Sequence, residues 1–83
     1  MRLVCEATYL QTDADLAATY KHLTAAQAAT IARDAGARRL VLTHFSQRYG
    51  DPQQFADEAG AIFDDVVVAA DLQRVAVPER IRA

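Results

Sequence analysis

The stretch Arg39-Leu40-Val41-Leu42-Thr43 constrains the fold of this chain more than any other feature. Its apolar residues are continuous rather than alternating, and the run is too short for a helix. Coming directly after a helix-type segment, it reads as a strand buried on both faces of a parallel sheet. Val66-Val67-Val68-Ala69 has the same character, and a short apolar segment spans residues 3–7. Parallel neighbours cannot be joined by a tight hairpin, so each pair needs a crossover, usually a helix.

The helices for those crossovers are marked in the sequence. Thr24 and Gln27 stand three apart, the spacing of a capping box in which the hydroxyl accepts from the Gln27 amide and the Gln27 side chain reaches back. A helix over 25–35 follows, with Ala28, Ile31, Ala32 and Ala35 on its packed face and Gly36 free to take positive φ beyond its end. A short helix is expected over 13–20, capped by Thr12 or Asp13 and stopping before His22. Asp51-Pro52 supplies an N-cap and a first-turn proline for a third helix to about residue 63, with Phe55, Ala59, Ile62 and Phe63 inward. Residues 74–77 have the pattern of a short edge strand before Pro78, and Asp71 of a residue that ends a strand.

The order is strand, helix, helix, strand, helix, strand, strand. It predicts an α/β fold with a short, mainly parallel sheet and right-handed crossovers, whose ligands gather beyond the carboxyl ends of the strands. Glu6, after the first strand, and His44, after the second, both belong to that edge. Three short helices are too few to cover both faces of the sheet. At 83 residues the chain is one domain at most, of marginal independent stability.

Composition excludes several classes. No run approaches the ~20 apolar residues of a membrane span, and the N-terminus lacks the basic-then-apolar pattern of a signal peptide, a cytoplasmic profile. The single cysteine, Cys5, cannot form an internal disulfide and reads as a small buried side chain in a reducing compartment. A formal net charge of −2 argues against nucleic-acid binding through bulk electrostatics, so any phosphate contact must be local.

Three segments place an ionisable group at a strand end or helix start: Cys5-Glu6-Ala7-Thr8, Lys21-His22-Leu23-Thr24, and Thr43-His44-Phe45-Ser46 continuing into Gln47-Arg48-Tyr49. Singly, each has a bland explanation in a solvated loop carboxylate or a packed histidine. Jointly, both histidines and the glutamate fall at one edge of the expected sheet. His44, held directly after a buried strand, has the rigid placement of a metal ligand.

These segments resemble ribonuclease Z. Cys5-Glu6-Ala7-Thr8 is similar to that family's His-Glu-Ala-Thr segment with Cys5 in the first place, and His22-Leu23-Thr24 to its His-Ser-Thr segment with Leu23 in place of serine. Thr43-His44-Phe45-Ser46 with Gln47-Arg48-Tyr49 resembles its last metal-ligand motif. The resemblance runs from residue 3 to about 77, in matching order and spacing. It implies the C-terminal part of a metallo-β-lactamase (αββα) fold, and residues 1–83 as a partial domain of a zinc-dependent endonuclease that processes precursor tRNA at its 3′ end. It implies that His44 is a terminal ligand of one of two zinc ions activating a hydroxide. It also implies that His22 protonates or stabilises the leaving oxygen and that Glu6 orients the His22 ring. Ser46 and Arg48, in the loop after the ligand, are candidate phosphate contacts, and for Arg48 a structural salt bridge is the equal alternative.

The family's other ligands, a His-x-His-x-Asp-His cluster, a further histidine and a bridging aspartate, precede the matched region, as does its tRNA-clamping arm. A catalytic zinc normally takes three protein ligands, so the chain alone is expected to be inactive. The resemblance also implies a separate N-terminal part or a second copy as partner. The alternatives are a truncated, non-catalytic folding or interaction module, part of another hydrolase of the same fold, and a small α/β domain whose strand-end polar residues do nothing.

Overall fold

The computed structural model describes residues 2–68. Three parallel strands, β1 (Arg2–Glu6), β2 (Arg39–Thr43) and β3 (Val66–Val68), form one sheet in the order β1-β2-β3. A 3-10 turn (Gln11–Asp13), α1 (Ala14–Tyr20) and α2 (Ala25–Asp34) join β1 to β2, and α3 (Gln53–Gly60) joins β2 to β3. The expected strand, helix, helix, strand, helix, strand order is present over these residues. The strand expected over 74–77, Asp71 and Ala69 at the end of the third strand lie outside them.

The core is built from one face of the sheet. Leu40 and Leu42 of β2 are fully buried with Ala25, Ala28, Ala29 and Ala32 of α2, Phe55 and Ala59 of α3, and Phe45. Leu3 and Cys5, and Val66 and Val68, pack against this cluster from the flanking strands. Small alanines bring the α2 backbone close to the sheet, and the Phe45 ring fills the remaining space against Phe55 at 4.7 Å between centroids.

Four expectations are corrected. β2 is not buried on both faces: Val4, Val41 and Val67 pair in register across the opposite face, where Val4 is 61% and Val67 38% exposed. Among the described residues the sheet has one covered face, because α2 and α3 lie on the same side of it. Ile31 on α2 and Ala35 at its C-cap face solvent, and the packed stripe is Ala25, Ala28, Ala29 and Ala32. The third helix ends at Gly60 rather than 63, although Ile62 and Phe63 still pack on the core. It also begins after Pro52 rather than at it, with the Asp51 carboxylate accepting from the Gln53 amide at 2.9 Å.

The capping box at Thr24 forms as expected, with the Gln27 amide donating to Thr24 Oγ1 at 3.1 Å and the Thr24 amide to Gln27 Oε1 at 2.9 Å. Gly36 follows α2 at φ 70°, the left-handed conformation that a residue lacking Cβ takes without strain.

Candidate active site

Glu6 is the last residue of β1 and pairs in register with Thr43 of β2, so Glu6 and His44 stand at the same carboxyl edge of the sheet. The chain beyond β1 stays at this edge. Ala7 donates to the Thr43 carbonyl at 2.9 Å, and the Thr8 carbonyl accepts from the Ser46 amide at 3.0 Å. Tyr9 then forms a parallel bridge with Thr24, donating to the Leu23 carbonyl and accepting from the Ala25 amide. The three motif segments are thereby joined backbone to backbone.

The Glu6 carboxylate is held by three donors. Oε2 accepts from the Thr8 amide at 3.0 Å and the Thr8 hydroxyl at 2.8 Å, and Oε1 accepts from the Leu23 amide at 2.7 Å. Hydrogen bonds to an ionised carboxylate are the stronger kind, and three of them fix its orientation. Thr8 is itself buried.

His22 follows Lys21, whose backbone turns left-handed at φ 60° to end α1. The His22 amide donates to the Ala17 carbonyl at 2.8 Å. Its Nδ1 lies 3.8 Å from Glu6 Oε1, close enough for an ion pair but beyond a hydrogen bond, and its ring stands 6.1 Å from that of Tyr9. Nε2 is buried without a hydrogen-bond partner. An imidazole with one nitrogen facing a carboxylate and the other unpaired is equipped to carry a proton and hand it on. His22 also lines an open groove of about 510 Å³ with Gln11, Leu23, Ala26, Gln27, Thr30 and Ile31.

His44 is exposed at the end of β2 and takes a left-handed backbone, φ 60°, which is uncommon for a residue with a Cβ. The chain turns sharply there and drives Phe45 into the core. Ser46 is 2% exposed, and its hydroxyl accepts from the Arg48 amide at 3.2 Å, which closes the loop on itself; Arg48 is exposed beyond it. The structure thus brings Glu6 and His22 together, sets His44 at the same sheet edge as Glu6, and places Ser46 inside the loop. Cys5, beside Glu6, has its thiol pushed up by burial and then by the Glu6 charge.

No protein-family model matches the chain. The ribonuclease Z of Thermobifida fusca is 58% identical over 81 residues, covering 94% of this chain and 26% of that protein. The ribonuclease Z of Streptomyces coelicolor is 56% identical over 80 residues, covering 94% and 27%. That of Protochlamydia amoebophila is 51% identical over 70 residues, covering 84% and 23%.

The chain belongs to the ribonuclease Z family.

It corresponds to a C-terminal portion of ribonuclease Z and spans about a quarter of the length of the curated relatives it matches. Within this portion two residues of the site carried no assigned role in the sequence. Tyr49 closes the ribonuclease Z-like segment that begins at Thr43; its hydroxyl accepts from the Leu10 amide at 3.1 Å and donates to Asp13. Glu58, on α3, accepts from the Gln11 amide through both oxygens, at 2.9 and 3.0 Å, and from the Ala26 amide at 2.9 Å. Tyr49 adjoins a motif and could have been marked from it, whereas nothing local marks Glu58. Among the described residues no three His, Cys, Asp or Glu side chains come together as a metal site. His44 by itself is therefore not a zinc centre.

Proposed function

We propose that this chain supplies the C-terminal part of a ribonuclease Z that cuts precursor tRNA at its 3′ end, a zinc-dependent phosphodiesterase of the metallo-β-lactamase fold acting in the cytoplasm. The observation that carries this reading is the Glu6–His22 pair: a carboxylate locked by three donors, a histidine 3.8 Å away, and an unpartnered Nε2 on that ring. Glu6 orients the ring, and His22 protonates or stabilises the departing oxygen as the phosphodiester breaks. His44 contributes one ligand to a zinc site whose other ligands come from the remaining part of the enzyme. Arg48, exposed after that ligand, meets substrate phosphate, and the Ser46 hydroxyl shapes the loop that presents it.

On this reading the chain alone does not cleave tRNA, and its partner is the N-terminal part of a ribonuclease Z. No helix among the described residues is long and apolar enough to cross a membrane. The test combines the purified chain with the separately produced N-terminal three-quarters of the Thermobifida fusca enzyme, zinc and precursor tRNA. Cleavage is expected only from the mixture. His22→Ala is expected to lower the rate by roughly 10²- to 10⁴-fold, the range of a lost general acid. Cleavage by the chain alone, or full activity with His22→Ala, would refute the reading.

A further inference from the structure

Four amides of the His22 turn and its surroundings are held by two carboxylates. Glu6 takes the Leu23 amide and, on its other oxygen, the Thr8 amide. Glu58 takes the Gln11 and Ala26 amides. Gln11 opens the 3-10 turn, and Ala26 lies in the first turn of α2, so both amides are among the donors a helix leaves without an internal partner. The two ends are further tied by the Thr24 hydroxyl, which donates to Gln11 Oε1 at 2.8 Å while accepting from the Gln27 amide.

We propose that Glu58, bridging the Gln11 turn and the start of α2 from α3, is a positioning residue for His22. The His22-Leu23 turn leaves Tyr20 and enters α2 at Thr24, so its path is set by where α2 begins relative to the segment after β1. That relation is fixed from one side by Glu6 on Leu23 and from the other by Glu58 on Gln11 and Ala26. Gln11 and Ala26 also line the groove in which His22 stands, so one carboxylate sets the separation of two of its walls. Aspartate at 58 keeps the charge but is one methylene too short to bridge both amides. Glutamine keeps one acceptor oxygen but loses the charge and the second bond to the Gln11 amide.

This proposal deepens the reading of His22 as proton donor, but its test does not call on nuclease activity, so the two can fail separately. Glu58→Asp and Glu58→Gln are compared with the unaltered chain by amide hydrogen exchange and by the imidazole Cε1–H signals, which number two because the chain has two histidines. In both variants the Leu23 amide is expected to exchange about tenfold faster or more, the size of one lost charged hydrogen bond, while Leu42 in the core changes less than about twofold. The His22 signal is expected to move and the His44 signal to stay. Parallel acceleration at Leu23 and Leu42 would mean that Glu58 only adds general stability, and an unmoved His22 signal would mean that it does not set the ring; either overturns the proposal. If one variant does not fold, the other decides on the same two measurements.

Discussion

Tyr49 joins the loop after His44 to the turn that precedes α1, and it does so through a phenol that must stay protonated. Burial, and then the hydrogen bond to Asp13, push its hydroxyl up to about 12. An acid whose folded value is raised adds stability in full below the unfolded value, near 10, and that stability is lost as pH rises from there toward 12. The unaltered chain is therefore expected to lose stability between pH 10 and 12, with Tyr49→Phe showing a shallower loss over the same window. Urea midpoints at pH 9 and pH 11.5 for the two proteins check this, and equal slopes would show that the phenol bears no such linkage. The places of Glu6, His22 and His44 at the ends of elements were legible from local pattern, whereas the roles proposed for them came from the resemblance to ribonuclease Z. The donors that lock Glu6 were half legible: Thr8 is two residues away, whereas Leu23 is 17 away. Glu58 was not legible, because its partners lie 47 and 32 residues distant and only the packing of α3 brings them into reach.

α2 shows where local pattern suffices and where it does not. Its start was readable since the capping box needs only Thr24 and Gln27, and both reciprocal bonds are present. Its packed face was not. Alanines at 25, 28, 29, 32 and 35 fit two adjacent stripes equally well, and the one bulky residue, Ile31, pulls the assignment toward the stripe that contains it. The sheet selects the other, because close approach of the helix needs small side chains and excludes isoleucine; Ile31 is left 44% exposed beside the groove. Two substitutions separate the stripes. Ile31→Gln is expected to change stability by no more than about 0.5 kcal/mol, as a surface replacement does, while Ala28→Leu forces extra volume under the helix and costs about 1–3 kcal/mol. Thr24→Ala is expected to cost about 0.5–2 kcal/mol as a lost cap. Chemical denaturation of the three variants reads all of these, and an Ile31→Gln cost matching that of Ala28→Leu would restore the stripe first expected.

At the largest scale the organising fact, among the described residues, is a parallel sheet with α2 and α3 packed on one side of it. Right-handed crossovers between strands added in one direction, β1 to β2 to β3, place every connection on the same face, so the order of strands dictates the one-sided core. The sequence pattern suggested two covered faces, since Val41 between Leu40 and Leu42 cannot announce which way it points to solvent. The register resolves it: Val4, Val41 and Val67 form one cross-strand row away from the helices, and Leu40 and Leu42 point into them. This division makes a measurable contrast between apolar side chains on the two faces of one sheet. Leu40→Ala removes a fully buried side chain and is expected to cost about 2–5 kcal/mol, enough to leave a domain of this size largely unfolded. Val4→Thr and Val67→Thr replace exposed side chains with near-isosteric ones that keep the β-branch, and are expected to stay within about 0.5 kcal/mol of the parent. Urea unfolding of the isolated chain, followed by circular dichroism, distinguishes the two classes. A cost above 1 kcal/mol for Val4→Thr would mean that its face is covered in solution. That cost should then appear on adding the N-terminal part of a ribonuclease Z if, and only if, that part packs against the valine row.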